Sequence, residues 1–176
     1  MRKRNHVLIG IIALVSLASS IVLMYVEDEA VQLLIQTVEL PILIYFIYWQ
    51  CTFQGDLKKE TGEGKEPWPH FWATVLTLGI YAVYWHYAAG KRLNKLGAKD
   101  RSLVYMFVYF VSYVISIVLV TLTLLKLFEV IDYDSIILNI ILWVNTLIPY
   151  ALFMHMQYTA NFKLADNVQT AQNLPV

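Results

Sequence analysis

Charge is scarce in this sequence, and neither sign is in surplus. Only 15% of the 176 residues are charged, and 13 Lys and Arg balance 13 Asp and Glu. Without a basic excess the chain lacks the electrostatic footprint of a nucleic-acid-binding protein, so no nucleic acid is expected as a partner. Cysteine is nearly absent: Cys51 alone closes no internal disulfide and has no company for a zinc site. Paired carboxylates, a metal-ligating cluster and a nucleophile beside a base are all missing from the residue pattern. That argues against an enzyme and leaves no metal or cofactor to expect. Gly62-Glu-Gly-Lys65 has the residues of a phosphate loop but neither its spacing nor a preceding strand, and reads as a flexible polar linker.

Apolar sequence is what the chain has in abundance. Hydrophobic residues make up 59% of it and the mean hydropathy is +0.56, whereas soluble domains are about 45–50% apolar and about 25% charged. Spanning a bilayer core of roughly 30 Å takes about 20 apolar residues in a helix. Five hydrophobic segments qualify as candidates: 7–26, 31–51, 70–89, 103–128 and 136–158. They lack the alternation of barrel strands, and lipid tolerates only elements that satisfy their own backbone. The expected fold is therefore all-α, a polytopic helical bundle of four to five hydrophobic segments. The basic start followed by an apolar run imitates a secretory signal, with Ala18-Ser-Ser20 as a cleavage site. The run outlasts the roughly 7–15 residues of a signal core, so an uncleaved anchor is expected.

Lys and Arg in short loops mark the cytoplasmic side, and acidic residues contribute little. Arg2, Lys3 and Arg4 precede the first segment, and Lys58, Lys59 and Lys65 separate the second from the third. Lys91, Arg92, Lys95, Lys99 and Arg101 separate the third from the fourth, and Lys163 follows the fifth. Five crossings would divide these almost evenly. If the third segment enters and leaves on one side, every basic residue except Lys126 becomes cytoplasmic, and the acidic connections 27–29 and 129–134 fall outside. The expectation is four full spans in the cell membrane, both termini cytoplasmic, and a re-entrant or interfacial third segment. Trp68, Trp72, Tyr81, Tyr84, Trp85 and Tyr87 suit headgroup depth, and Gly79 loosens the helix midway. An ordinary fifth span that disobeys the charge rule is the alternative.

Ile44-Tyr-Phe-Ile-Tyr-Trp49 recurs as Ile80-Tyr-Ala-Val-Tyr-Trp85, and both copies run on towards lysines. Thr77-Leu-Gly-Ile-Tyr81, Tyr84-Trp85 and Lys91-Arg-Leu-Asn-Lys95 resemble the hallmark of a bacterial family of small membrane domains, the domain-of-unknown-function family number 4234. The likeness covers roughly residues 68–166, with an exit at Gln157-Tyr-Thr-Ala-Asn161. It implies an architecture and no reaction, ligand or cofactor. The domain reading is a helical hairpin over 1–51, a polar loop over 52–69, the membrane domain over 70–166 and a polar tail over 167–176. Tyr81, Tyr84 and Trp85 fall at i, i+3 and i+4, and Lys91, Arg92 and Lys95 follow. Together they form a candidate face for anionic lipid or a protein partner.

Glu39 lies well inside the second segment, where a carboxylate is expensive and marks a functional candidate. Gln32, Gln36 and Glu39 make one polar stripe, and Pro41 frees the carbonyl of Thr37 beside it. Asn145 and Thr146 should lie at the depth of Glu39 and partner it. His86 and His155 are expected near cytoplasmic helix ends, where the imidazole tips can reach water or headgroups. Met154-His-Met156 cannot chelate, because successive helical residues diverge by about 100°. Lys126 should snorkel to the outer surface, the 132–134 connection should be solvated, and Ser112 and Ser116 form a small-residue pair for close helix contact or a homo-oligomer. The leading functional expectation is a non-enzymatic partner- or lipid-binding membrane module; the alternative is a small transporter or channel component using Glu39.

Overall fold

Asn5 and Asp28 start the first two helices in the same way, by accepting backbone amides on a side-chain oxygen. Asn5 takes Val7 N at 3.0 Å, and Asp28 takes Ala30 N and Val31 N at 2.9 and 3.2 Å. The helices they cap are α1 (His6–Tyr25) and α2 (Glu29–Thr61). In the computed structural model the described residues are 5–26, 28–64, 66–128 and 136–172, and they fold into six helices with no strand. The protein is an all-α bundle. The side chains of Gln36 and Lys126 and the acidic 132–134 connection lie outside the described residues.

α2 runs straight through Pro41 and ends at Gly62, which is left-handed at φ 72°, with Lys58 and Lys59 in its last turn. The polar loop expected over 52–69 is thus mostly helix. Trp49, Phe53 and Leu57 make an i, i+4, i+8 stripe, and burying it carries the helix on through a charged stretch. α6 continues to Gln172, so the stretch expected as a polar tail over 167–176 begins as helix.

The third hydrophobic segment is two helices, α3 (Pro67–Leu76) and α4 (Ile80–Lys95), hinged at residues 77–79. Neither has the length of a span. α1, α2, α5 (Ser102–Leu127) and α6 (Ile136–Gln172) are long and apolar enough to cross a membrane. At the hinge Leu78 and Gly79 have φ of 49° and 92°. A side chain on Gly79 would be strained there and would also press the Tyr113 ring at 3.2 Å. The backbone groups that the break frees are satisfied. Tyr113 Oη donates to Leu78 O at 3.1 Å, Thr77 Oγ1 accepts Tyr81 N at 3.0 Å, and Gly79 N donates to Thr74 O at 2.9 Å.

Contacts fix how the helices run. α4 lies antiparallel on α5, so that Gly90 meets Ser102, His86 meets Tyr109 and Gly79 meets Tyr113. α1 is antiparallel to α6, with His6 at Tyr158, Gly10 at Met154 and Ser16 at Tyr150. α2 reaches α6 through aromatic rings, Phe46 at Tyr150 and Phe53 at Phe153, which sets the two in the same direction, and α3 packs back along α2 from Pro67 at Gly55. The core gathers at the end of the bundle where the α3–α4 hairpin packs, around Phe153, which touches Phe46, Trp49, Phe53 and Trp85. The repeated I-Y-x-[IV]-Y-W pattern has matching positions in space. Trp49 and Trp85 are each 4% exposed and reach Phe153 with ring centroids 6.3 and 6.1 Å away, while Tyr48 and Tyr84 both face outwards.

Candidate functional site

Arg92 is the least ordinary side chain of α4. It is 8% exposed, and it donates through Nη1 to Gln54 Oε1, on the fully buried Gln54 of α2. A guanidinium carries five donors and stays charged, yet among the described residues no carboxylate lies within ion-pair range of it. Burial draws its pKa below the ordinary value, and the nearby Tyr84, Tyr81 and Glu63 act the other way. The α2–α3 connection folds over the group. Gly64, at φ 119°, lies so close that a side chain there would meet Nη2 at 2.5 Å.

Beside Arg92 opens a cavity of about 350 Å³, lined also by Glu63, Gly64, His70, Tyr81, Tyr84, Tyr87 and Lys91. The hinge builds it: folding α3 back against α4 brings His70 Nδ1 to Tyr81 Oη at 2.8 Å. Two exposed ion pairs fringe it. Lys95 holds Glu63, and Lys91 holds Asp100 at 2.7 Å. Lys95 keeps the Glu63 carboxyl below the usual carboxylate range. Of the aromatic and basic face, the fold therefore leaves Tyr84 exposed, half-buries Tyr81, encloses Trp85 and Arg92, and pairs Lys91 and Lys95 with acids. Glu63 and Gly64 of the linker thus form part of the cavity wall.

Glu39 lines a second cavity, of about 330 Å³, with Ser16 and Ser20 of α1, Leu40 and Leu43 of α2, and Thr146 and Tyr150 of α6. Thr146 shares this cavity while its hydroxyl donates to Leu142 O at 2.9 Å, and Asn145 turns to α5, where Nδ2 donates to Ser112 O at 3.2 Å and Ser116 Oγ at 2.8 Å. The small-residue pair on α5 is thus a hydrogen-bonded joint. Sequence reasoning missed Ser16 and Ser20, whose i, i+4 spacing inside an apolar helix was the available signal. Ser16 Oγ meets Tyr150 Oη at 3.2 Å, and Ser20 Oγ donates to Ser16 O at 2.9 Å.

The histidines correct an expectation. His86 does not reach water: it is buried, stacked on Tyr109 with centroids 4.0 Å apart, and its Nδ1–H donates to Ala82 O at 2.7 Å. His155 sits between Arg101 and Tyr105. Among the described residues no three His, Cys, Asp or Glu side chains converge on a metal position. No protein-family model matches the chain, and neither the curated proteins nor the solved structures contain a match.

Proposed function

We propose that this protein is a non-enzymatic membrane module that crosses the bilayer four times, with α3–α4 as a re-entrant hairpin. Both termini are cytoplasmic, and a cavity at the cytoplasmic surface takes the anionic headgroup of a lipid through Arg92. The observation that carries this reading is the buried Arg92 guanidinium, which makes no ion pair among the described residues and opens on a tyrosine-lined cavity whose acid, Glu63, is held by Lys95. Retaining an enclosed cation is expensive unless an anion joins it, and guanidinium matches phosphate geometry.

The hairpin's construction supports the topology. Its tip presents Leu76, Leu78 and Ile80 outwards, Leu78 at 85% exposure. Tyr113, against which the tip rests, is about midway along the 26-residue α5, roughly 16 Å from its start at 1.5 Å per residue. Irregular backbone at such a depth is tolerable only when its polar groups are satisfied, as they are at the hinge. Membership of the family that the Thr77–Trp85 motif resembles remains part of the proposal and rests on that motif.

Glycerol phosphate, a soluble headgroup analogue, should bind the purified protein in neutral detergent, and Arg92→Gln should weaken it about tenfold or more, as expected for losing a charge-assisted bidentate partner. Equal binding by the variant would remove Arg92 from the site. A Gly97→Cys probe in a Cys51→Ser background should resist impermeant maleimide until cells are opened; labelling from outside would overturn the same-side hairpin. A second reading, an ion or proton pathway, is favoured by one observation: Glu39 shares its cavity with four hydroxyl-bearing side chains. Unchanged proton and cation flux into liposomes after Glu39→Gln would discard it.

A further inference from the structure

Away from both cavities, the seam between α5 and α6 opens a groove of about 360 Å³ whose lining is almost wholly apolar. Val104 and Val108 form one wall, and Ile148, Ala151 and Leu152 the other. At its hairpin end the groove meets Arg101, Tyr105 and His155, which also line a second cavity of about 210 Å³. That second cavity adds Lys99, Thr159 and Lys163 and contains no carboxylate. An apolar slot thus continues into a cationic mouth.

The mouth is preorganised. Arginine can only donate, so Arg101 Nη1 at 2.8 Å makes His155 Nε2 an acceptor and puts the ring proton on Nδ1. Nδ1–H then donates to Tyr105 Oη at 2.8 Å. Thr159, on the next turn of α6, donates through Oγ1 to His155 O at 2.8 Å. This chain of bonds holds Arg101 at the rim and leaves most of its donors unused. Among the described residues neither Arg101 nor Lys99 makes an ion pair, and both are exposed.

We infer that the α5–α6 groove binds an anionic phospholipid, one acyl chain lying along Val104, Val108 and Leu152 and the phosphate held by Arg101 and Lys99. Charge complementarity selects this occupant: a hydrocarbon-lined slot takes a chain from the bilayer, and a mouth with cations and no acid selects a negative headgroup. The inference rests on the four-span reading but not on the Arg92 site.

Delipidated protein in phosphatidylcholine nanodiscs, titrated with phosphatidylglycerol and followed by native mass spectrometry and thermal stability, tests it. Wild type should gain a tightly retained phosphatidylglycerol and a higher Tm, in the Arg92→Gln background as well. At about fivefold per basic residue near the surface, Lys99→Gln with Arg101→Gln should weaken retention roughly thirtyfold. Lys99→Gln alone, at an exposed position, keeps the fold and should weaken it about fivefold. Ala151→Phe, which fills the slot, should abolish retention with the charges intact. Glycerol phosphate should not compete, because it lacks the chain. Full retention in the double variant or in Ala151→Phe, or displacement by glycerol phosphate, would overturn the proposal. Loss through Arg92→Gln alone would assign the lipid to the hairpin cavity instead.

Discussion

At the hairpin end of the bundle Phe53, Phe153, Trp49 and Trp85 are buried against one another, whereas at the opposite end Leu33, Leu34, Ile137 and Ile140 stand exposed. Both sets are strongly apolar, so hydrophobicity does not distinguish them. In lipid it has no reason to, since hydrocarbon solvates a leucine as well as a protein core does. What separates the ends is shape and polarity. One has interlocking rings, close-approach glycines and a broken helix wedged between α2 and α5; the other has aliphatic side chains turned to the surroundings. Cohesion in this protein therefore comes from fitted aromatic packing and from polar contacts between helices.

The largest expected effect tests that contrast directly. Phe153→Ala removes the ring shared by four aromatic neighbours and should destabilise the protein by about 3 kcal/mol or more, measured by unfolding in detergent micelles. Ile140→Ala at the other end should change stability by only a few tenths of a kcal/mol, the usual range for sites outside a packed core. A comparable loss from Ile140→Ala would break the comparison and imply that another copy of the chain covers that end.

Next in size is the close approach of α4 and α5. A side chain on Gly90 would meet Ser102 Cα at 2.5 Å, a backbone atom that cannot swing away. Gly90→Val should therefore cost about 2 kcal/mol. Gly10→Ala, where the nearest atom is Met154 Sδ at 3.5 Å, should be close to neutral. The difference between two helical glycines would sharpen the point that contact distance, not residue type, decides.

A smaller effect is expected where polarity replaces shape. Asn145 ties α6 to α5 through Ser112 and Ser116, and hydrogen bonds between membrane helices contribute about 0.6–2 kcal/mol. Asn145→Ala should lose about 1 kcal/mol, and the Ser116→Ala, Asn145→Ala double variant little more, because both remove the same contact.

The four long helices were legible because length and apolarity are properties of each segment alone. The hinge was legible through Gly79, and the α5 joint through Ser112 and Ser116. Positions that depend on a neighbour were not. Arg92 and His86 sit in a helix whose lysines advertise a surface, and only the approach of α2 and α5 encloses them. Of the hydroxyls that share the Glu39 cavity Thr146 was expected from its depth, but Ser16, Ser20 and Tyr150 come from α1 and α6, and no spacing within α2 could have named them. α2 outran its expected end because a buried stripe outweighed a charged composition.

The smallest predicted effect lies at the α4–α5 junction, outside the apolar contrast. Asp100 accepts Ser102 N at 3.0 Å, Ser102 Oγ at 2.6 Å and Lys91 Nζ at 2.7 Å. The Lys91 bond, then the Ser102 bonds, hold its carboxyl far below the usual carboxylate range. A carboxylate whose folded pKa is depressed stabilises the fold fully above its unfolded value of about 3.9, and that contribution fades as pH falls through the folded value. Stability at this junction should accordingly be flat from neutral pH to about 4 and decline only in stronger acid. Asp100→Asn keeps the shape and loses the charge, so its Tm should fall slightly at neutral pH and approach that of wild type in acid. The pair is exposed and screened, so 1 M salt should narrow the gap further. No gap even at neutral pH and low salt would mean that the Ser102 bonds, which the variant's amide oxygen still accepts, matter at this junction and the charge on Lys91 does not.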